Sequence, residues 1–188
     1  LIADRYLGYR KAIAFGAVLL VLGHFGMAFE GPTAELVNGE VVRSGIHTQG
    51  FYLSLAFIIV GVGFLKANIS TIVGQLYSEN DPRRDGGFTI FYMGINIGAF
   101  TATLACAYLG ETYGWRYGFG LAGIGMLFGL LVFQIFRKHL LGYGEPPVPG
   151  LLEQTVAPMI TKERLIYIVG FLSVIAIWQI IQRTSELG

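Results

Sequence analysis

Phe51-Tyr-Leu-Ser-Leu-Ala-Phe-Ile-Ile-Val-Gly-Val-Gly-Phe-Leu-Lys66-Ala-Asn-Ile-Ser-Thr-Ile-Val-Gly-Gln-Leu-Tyr77 carries a single formal charge, on Lys66. A helix that crosses the hydrocarbon of a bilayer needs about 20 mostly apolar residues, with a range of roughly 17–25. A water-exposed helix of this length would place charges on its outer face every turn or two. The same pattern repeats outward along the chain. No charge lies between Lys11 and Glu30, from Gly86 to Gly110, from Tyr117 to Phe136, or from Leu165 to Gln182. Five spans follow: Ala12–Phe29, Phe51–Tyr77, Gly87–Tyr108, Trp115–Phe136 and Leu165–Ile181. The first and last sit at the lower length limit. The fold class is all-α and integral to a membrane, since the short alternating segments of a transmembrane β-barrel are missing.

Composition agrees. Of 188 residues, 54% are hydrophobic and 13% charged, against roughly 25% charged in soluble domains. Thirteen basic and twelve acidic residues leave a net charge of +1, which excludes a nucleic-acid binder held by clustered cations. High hydrophobicity excludes disorder. One cysteine, Cys106, excludes an internal disulfide and a cysteine-based zinc site. No nucleophile elbow, phosphate-binding glycine loop or two-histidine zinc helix occurs, so neither an enzyme nor a metal or cofactor site is expected. Leu1–Arg10 is polar and does not read as a signal peptide. The chain reads as beginning and ending inside a larger protein.

The loops set the orientation. With Leu1–Lys11 cytoplasmic, Ser78–Gly86 and Arg137–Lys162 fall on the same side. These segments hold Arg5, Arg10, Lys11, Arg83, Arg84, Arg137, Lys138 and Lys162, whereas the opposite side holds Arg43, with Arg116 at a helix mouth. That asymmetry is the positive-inside pattern. Glu30, Glu35 and Glu40 mark the loop Glu30–Gly50 as aqueous. The stretch Leu140–Ile160 holds Pro146, Pro147, Pro149 and Pro158 and reads as an irregular connector. The short Gly110–Gly114 link makes the third and fourth spans an antiparallel hairpin.

Lys66 stands near the middle of the second span. A cation at bilayer depth costs at least about 2.5–3.5 kcal/mol on insertion scales, which makes it functional unless its stem reaches water. Tyr77 lies about ten residues on, roughly 15 Å of helix, a long reach for snorkelling. Gly63, Lys66 and Ser70 share a face at three- and four-residue spacing. A compact, titratable ammonium there can bind a carboxylate, or change protonation as one comes and goes. Tyr92 and Asn96, four apart in the third span, also share a face. Gly94 and Gly98 form a GxxxG beside them, so Asn96 reads equally as a ligand-binding group and as an interhelical hydrogen bonder. Gly125 and Gly129 read as packing. His24, without a partner at metal spacing, reads as a hydrogen-bonded structural residue.

Three motifs carry a resemblance. Ala3-Asp4-Arg5-Tyr6-Leu7-Gly8-Tyr9-Arg10-Lys11 resembles the cytoplasmic loop between helices 2 and 3 of the major facilitator superfamily. Phe88-Thr-Ile-Phe91-Tyr92-Met-Gly-Ile-Asn96-Ile-Gly98-Ala-Phe100 resembles the signature of the proton-dependent oligopeptide transporters within it. Gly63-Phe-Leu-Lys66-Ala-Asn68-Ile-Ser70-Thr71-Ile-Val-Gly74-Gln75-Leu-Tyr77 is similar to that family's fourth helix, followed by Asp81-Pro82-Arg83-Arg84-Asp85. The resemblance covers roughly Leu1 to Lys138 and makes the first four spans helices 3 to 6 of an N-terminal six-helix bundle.

The resemblance implies proton-driven symport of di- and tripeptides by alternating access, in the inner (plasma) membrane of a bacterium. The proton gradient would be the energy source, with no cofactor. It implies that Lys66 faces the central cavity near the peptide carboxylate and takes part in proton coupling. Tyr92 and Asn96 would contact the peptide backbone. Asp4, Arg5, Gly8 and Arg10 would belong to the loop that latches the inward gate. The implied organisation is a loop motif at 1–11, bundle helices over 12–138, a cytoplasmic connector at 139–160, and a helix at 161–188. The last, Ile177-Trp178-Gln179-Ile-Ile-Gln182-Arg183, departs from the family's seventh helix and is assigned to a linker between the halves, with helix 7 as the alternative. The partners expected are peptides, protons, the bilayer and a missing C-terminal half. The alternatives are a carrier of nitrate or another small anion and a non-transporting membrane scaffold.

Overall fold

The computed structural model describes residues 3–29, 31, 35–37, 40–42, 44–148, 150–157 and 160–186. Glu30, Arg43, Pro149 and Pro158, used above for orientation and loop assignment, lie outside the described residues, as do the side chains of Glu35 and Glu40. Five helices dominate: α1 (Tyr9–Met27), α2 (Gly45–Gln75), α3 (Arg84–Tyr113), α4 (Trp115–Phe136) and α5 (Lys162–Glu186). All five are long and apolar enough to cross a membrane. Two small antiparallel hairpins sit in the connections, β1 (Glu35–Val37) with β2 (Glu40–Val42) and β3 (Thr155–Ala157) with β4 (Ile160–Thr161).

The helices outrun the apolar spans. α2 starts six residues before Phe51, where Ser44 takes extended backbone and its carbonyl accepts the Thr48 amide at 3.1 Å. α3 starts from a turn built by Asp81. That carboxylate accepts the Arg83 amide (2.9 Å) and two guanidinium donors (3.1 and 2.9 Å), while the Asp81 carbonyl accepts the Arg84 amide (3.0 Å). At 1.5 Å per residue α2 and α3 each reach about 45 Å, against a hydrocarbon core of about 30 Å. Their ends therefore stand among headgroups, or the helices tilt. Between α3 and α4 the link shrinks to Gly114 alone, at φ 113° and ψ 146°. Only glycine takes that backbone readily.

α1 is the hub. α2 and α4 pack on it, α5 reaches it through side chains, and 44% of its most apolar window is buried. Inside a bilayer, lipid is as apolar as leucine, so close van der Waals packing has to hold helices together. Glycine permits it here. A methyl built on Gly16 would lie 2.7 Å from the Gly61 carbonyl oxygen, and one on Gly23 would lie 2.9 Å from that of Ser54. Phe25 of α1 covers Gly123 of α4, and the Cys106 carbonyl of α3 covers Gly118 of α4. The two GxxxG pairs singled out above behave otherwise. Methyls on Gly94, Gly98, Gly125 or Gly129 would meet nothing within 4 Å among the described residues. α5 lies along α1 and α2 through Phe171, whose ring meets Phe15 at 5.6 Å and Phe57 at 6.4 Å.

One end of the bundle gathers the start of α1, the end of α2, the end of α4 and the start of α5. The Arg10 amide donates to the Gly144 carbonyl (2.9 Å), Gly144 sits against Ile72, and Lys11 pairs with Glu163 (2.7 Å). This is the end rich in Lys and Arg.

Candidate functional site

Two regions hold the residues expected to carry function. The first is the mid-membrane part of α2 and α3. These helices approach each other near the end rich in Lys and Arg, where a methyl on Gly74 would lie 3.5 Å from Phe88 and one on Gly87 would press on Tyr77. From the Gly74–Phe88 contact, Lys66 lies eight residues back along α2 and Asn96 eight residues forward along α3. Both are therefore about 12 Å deeper, at one level, with Tyr92 about 6 Å deeper.

Around α2, three faces are distinct. Ser54, Ile58, Gly61 and Leu65 meet α1. Phe57 and Phe64 turn toward Phe171 and Gly170 of α5. Lys66, two residues past Phe64, stands about 200° round the helix from it and is exposed. Among the described residues its ammonium makes no hydrogen bond or ion pair. Its polar neighbours are otherwise engaged: Asn68 Nδ2 donates to the Phe64 carbonyl (2.6 Å) and Thr71 Oγ1 to that of Ala67 (3.1 Å).

α3 is held at its two ends only, by α2 near Phe88 and by α4 near Cys106 and Gly110. None of its most apolar window is buried. Tyr92 is half exposed and stacks on Phe88, with ring centroids 6.3 Å apart. Asn96 Nδ2 donates to the Tyr92 carbonyl at 3.0 Å, a local bond that a ligand can replace. That bond leaves the side-chain oxygen of Asn96 to accept from elsewhere. So Lys66, Tyr92 and Asn96 share one depth band on surfaces that no other helix covers among the described residues. Spacing had left open whether Asn96 bonds to another helix; among the described residues its bond is to its own helix.

The second region is the loop motif. Ala3–Leu7 forms one wide turn closed by the Gly8 amide donating to the Ala3 carbonyl (3.0 Å). Gly8 then takes φ 79°, and a methyl there would lie 2.7 Å from the backbone of Glu145 and Pro146. Arg10 and Lys11 already belong to α1. Arg10 Nη1 forms a short charge-assisted bond to Glu145 Oε1, while its Nε and Nη2 are buried without partners among the described residues. Glu163 accepts from Lys11 and from the Tyr167 hydroxyl (3.2 Å). The Tyr9 hydroxyl donates to the exposed Asp4 carboxyl and holds it below the usual carboxylate range. Arg5 is exposed. Glu145 and Glu163, which receive Arg10 and Lys11, carry no local motif. They sit 135 and 152 residues away in the chain, so only the fold reveals the pairing.

His24 Nδ1 lies 2.7 Å from the Leu20 carbonyl oxygen, a structural bond within its own helix. Among the described residues no group of three His, Cys, Asp or Glu side chains is placed to hold a metal ion.

Comparison with known proteins adds a family to this geometry. The sequence model described as POT family matches residues 10–162. An uncharacterized transporter, YclF of Bacillus subtilis, is 41% identical over 83% of this chain and 29% of its own length. The peptide transporter YePEPT of Yersinia enterocolitica is 43% identical over 72% of this chain and 24% of its own. Dipeptide and tripeptide permease A of Cronobacter turicensis is 35% identical over 94% and 31%. The chain thus spans 24–31% of the length of these relatives. Among solved structures, a POT family transporter in complex with a thioalcohol-conjugated peptide is 34% identical. It superposes with a TM-score of 0.67 over 98% of this chain and 34% of its own.

Proposed function

This chain belongs to the POT family, with the fold of part of the N-terminal bundle of a major facilitator superfamily transporter. On that premise we propose that the protein containing it is a proton-coupled symporter of di- and tripeptides, working by alternating access and driven by the proton gradient without a cofactor. It is not an enzyme. It would reside in a bacterial inner membrane, as a multi-pass protein whose second half completes the cavity. In this fold class a midplane site is exposed alternately as one half rocks against the other.

One observation carries the reading: the Lys66 ammonium, without a partner among the described residues, stands at the level of Asn96 and one turn deeper than Tyr92. A charge at that depth calls for an ionic counterpart, either a ligand or a carboxylate from the part of the protein outside this chain. A peptide supplies a carboxylate for Lys66 and amide groups for Asn96 and Tyr92. Lys66 can also lose and regain its proton as the carboxylate leaves and arrives, which ties substrate to proton. Asp4, Arg5, Gly8 and Arg10 form part of the inner gate. α5 packs on the Phe57–Phe64 side of α2, away from Lys66, which supports a peripheral linker helix rather than a cavity helix.

The test is dipeptide accumulation by the full-length protein in liposomes with an inward proton gradient. Wild type accumulates dipeptide, Lys66→Ala does not, and Lys66→Arg fails to restore it because guanidinium does not titrate. Accumulation of nitrate in place of dipeptide, or a Lys66→Ala protein with wild-type accumulation and pH profile, overturns the proposal.

A further inference from the structure

A groove of about 430 Å³ runs between α1, α4 and α5 at the cation-rich end, on the far side of α1 from the α2 contact at Gly16 and Gly23. Ala14, Phe15 and Val18 of α1, Gln134 of α4, and Tyr167 and Phe171 of α5 form its walls. It runs from Lys11 to Val18 along α1, about 10 Å into the membrane. Its lining is mostly apolar, and Phe15 closes its floor against Tyr167 and Phe171, with ring centroids 5.0 and 5.6 Å away. A groove that opens sideways among membrane-spanning helices meets acyl chains, so the headgroup at its mouth decides which lipid stays.

The mouth carries charges of both signs, with its open cations on the α4 side. Lys11 crosses it to Glu163, uses one of its three donors on that carboxylate, and keeps its side chain 37% exposed. Glu163 is engaged by both Lys11 and the Tyr167 hydroxyl. Arg137 and Lys138 follow Gln134 by three and four residues, one turn nearer the cytoplasm, and both are exposed. Glu145 and Glu153 also stand beside Lys11, on the connector side. Glu145 is taken by Arg10 and Glu163 by Lys11, while Arg137 and Lys138 on the α4 side form no ion pair among the described residues and are the cations open to an anion. Basic pockets between helices on the cytoplasmic side select anionic headgroups.

We propose that this groove is a binding site for an anionic phospholipid, with one acyl chain between Val18 and Phe171 and the phosphate against Lys11, Arg137 and Lys138. The site is independent of the peptide cavity, because Lys66 lies on another face of the bundle.

The experiment is native mass spectrometry of the full-length protein in detergent, after incubation with equal amounts of phosphatidylglycerol or phosphatidylethanolamine of the same chains. Wild type retains phosphatidylglycerol in preference. Arg137→Gln with Lys138→Gln lowers that retention by roughly fivefold for each cation removed and leaves phosphatidylethanolamine unchanged. Val18→Trp fills the groove and lowers retention of both lipids. Equal retention of the two lipids by wild type overturns the proposal, as does undiminished phosphatidylglycerol retention by the double variant. Full retention by Val18→Trp, with an unfolding temperature matching wild type, places the lipid elsewhere and overturns it too. Transport is not read, so failure here leaves the peptide reading untouched.

Discussion

Gly16 of α1 and Gly61 of α2 meet backbone to backbone: a methyl on either would lie 2.7–2.8 Å from the carbonyl oxygen of the other. The two helices have no room to part locally, because Gly23 and Ser54 repeat the contact two turns on. Gly16→Val and Gly61→Val should each cost about 1–3 kcal/mol by overpacking. The check is the unfolding temperature of the full-length protein in detergent. Gly125→Ala, placed where a methyl meets nothing among the described residues, should leave it near the wild-type value.

Arg10 and Glu145 should behave as a coupled pair. Arg10 is mostly buried and Glu145 half exposed, so the pair lies between the negligible surface case and the costly buried one. Glu145→Gln should destabilise by about 1–2 kcal/mol, the scale of a hydrogen bond to a charged group. A double-mutant cycle with Arg10→Gln should return most of that as coupling energy. A coupling energy indistinguishable from zero would show the contact to be incidental.

Gly8→Ala should be worse tolerated than its size suggests. Its φ of 79° with ψ of 150° is a region held almost only by glycine, and a methyl collides with the Glu145 carbonyl carbon. Strain of about 1–3 kcal/mol is expected. Limited proteolysis should then cut faster between Gly142 and Leu152, where the connector has lost its seat. Unchanged cleavage would mean the turn relaxes.

Asp81 predicts an acid limb. Its carboxyl is held below the usual range by hydrogen bonds from the Arg83 side chain and amide. A depressed pKa gives stability that is present above the unfolded value and is lost as pH falls through the folded one. The loss should therefore appear only below about pH 4. Comparing unfolding temperatures of wild type and Asp81→Asn between pH 3 and 7 checks this: the gap should close at the acid end.

Asn96 bonds its own helix at Tyr92, and among the described residues no other helix packs on that face. Asn96→Ala should therefore raise the apparent peptide KM by about 2- to 13-fold, one net hydrogen bond, without lowering the unfolding temperature. Tyr92→Phe should do the same more mildly. A destabilised Asn96→Ala protein with normal KM removes Asn96 from the site.

Runs without charge told where helices lie, because lipid forbids unpaired charge and nothing else in the chain resembles such runs. They undershot the starts of α1, α2 and α3 and the end of α3, since those helices run on into polar residues such as Arg10, His47 and Glu111. They overran the ends of α1 and α2 by two residues. Lys66 drew attention by its cost and Asn96 by its spacing from Tyr92, and the fold sets the two at one level of α2 and α3. GxxxG marks a face able to pack, yet among the described residues the close contacts fall on glycines outside the two pairs singled out, Gly16, Gly23, Gly61, Gly118 and Gly123 among them. Glu145 and Glu163 were invisible as partners of Arg10 and Lys11, because charge pairing across 135 and 152 residues leaves no periodic trace.

The single residue between α3 and α4 has a consequence for how the protein is made. Glycine alone cannot span the distance needed for α3 to settle across the bilayer while α4 waits outside. The two helices must enter as a pre-paired hairpin, with Gly114 leading and the flanking Glu111 and Arg116 carried across together. α3, with almost no packing of its own, is thereby delivered by its neighbour. Lengthening the Gly114 turn should uncouple their insertion and leave glycosylation-site reporters in that turn on both sides of the membrane.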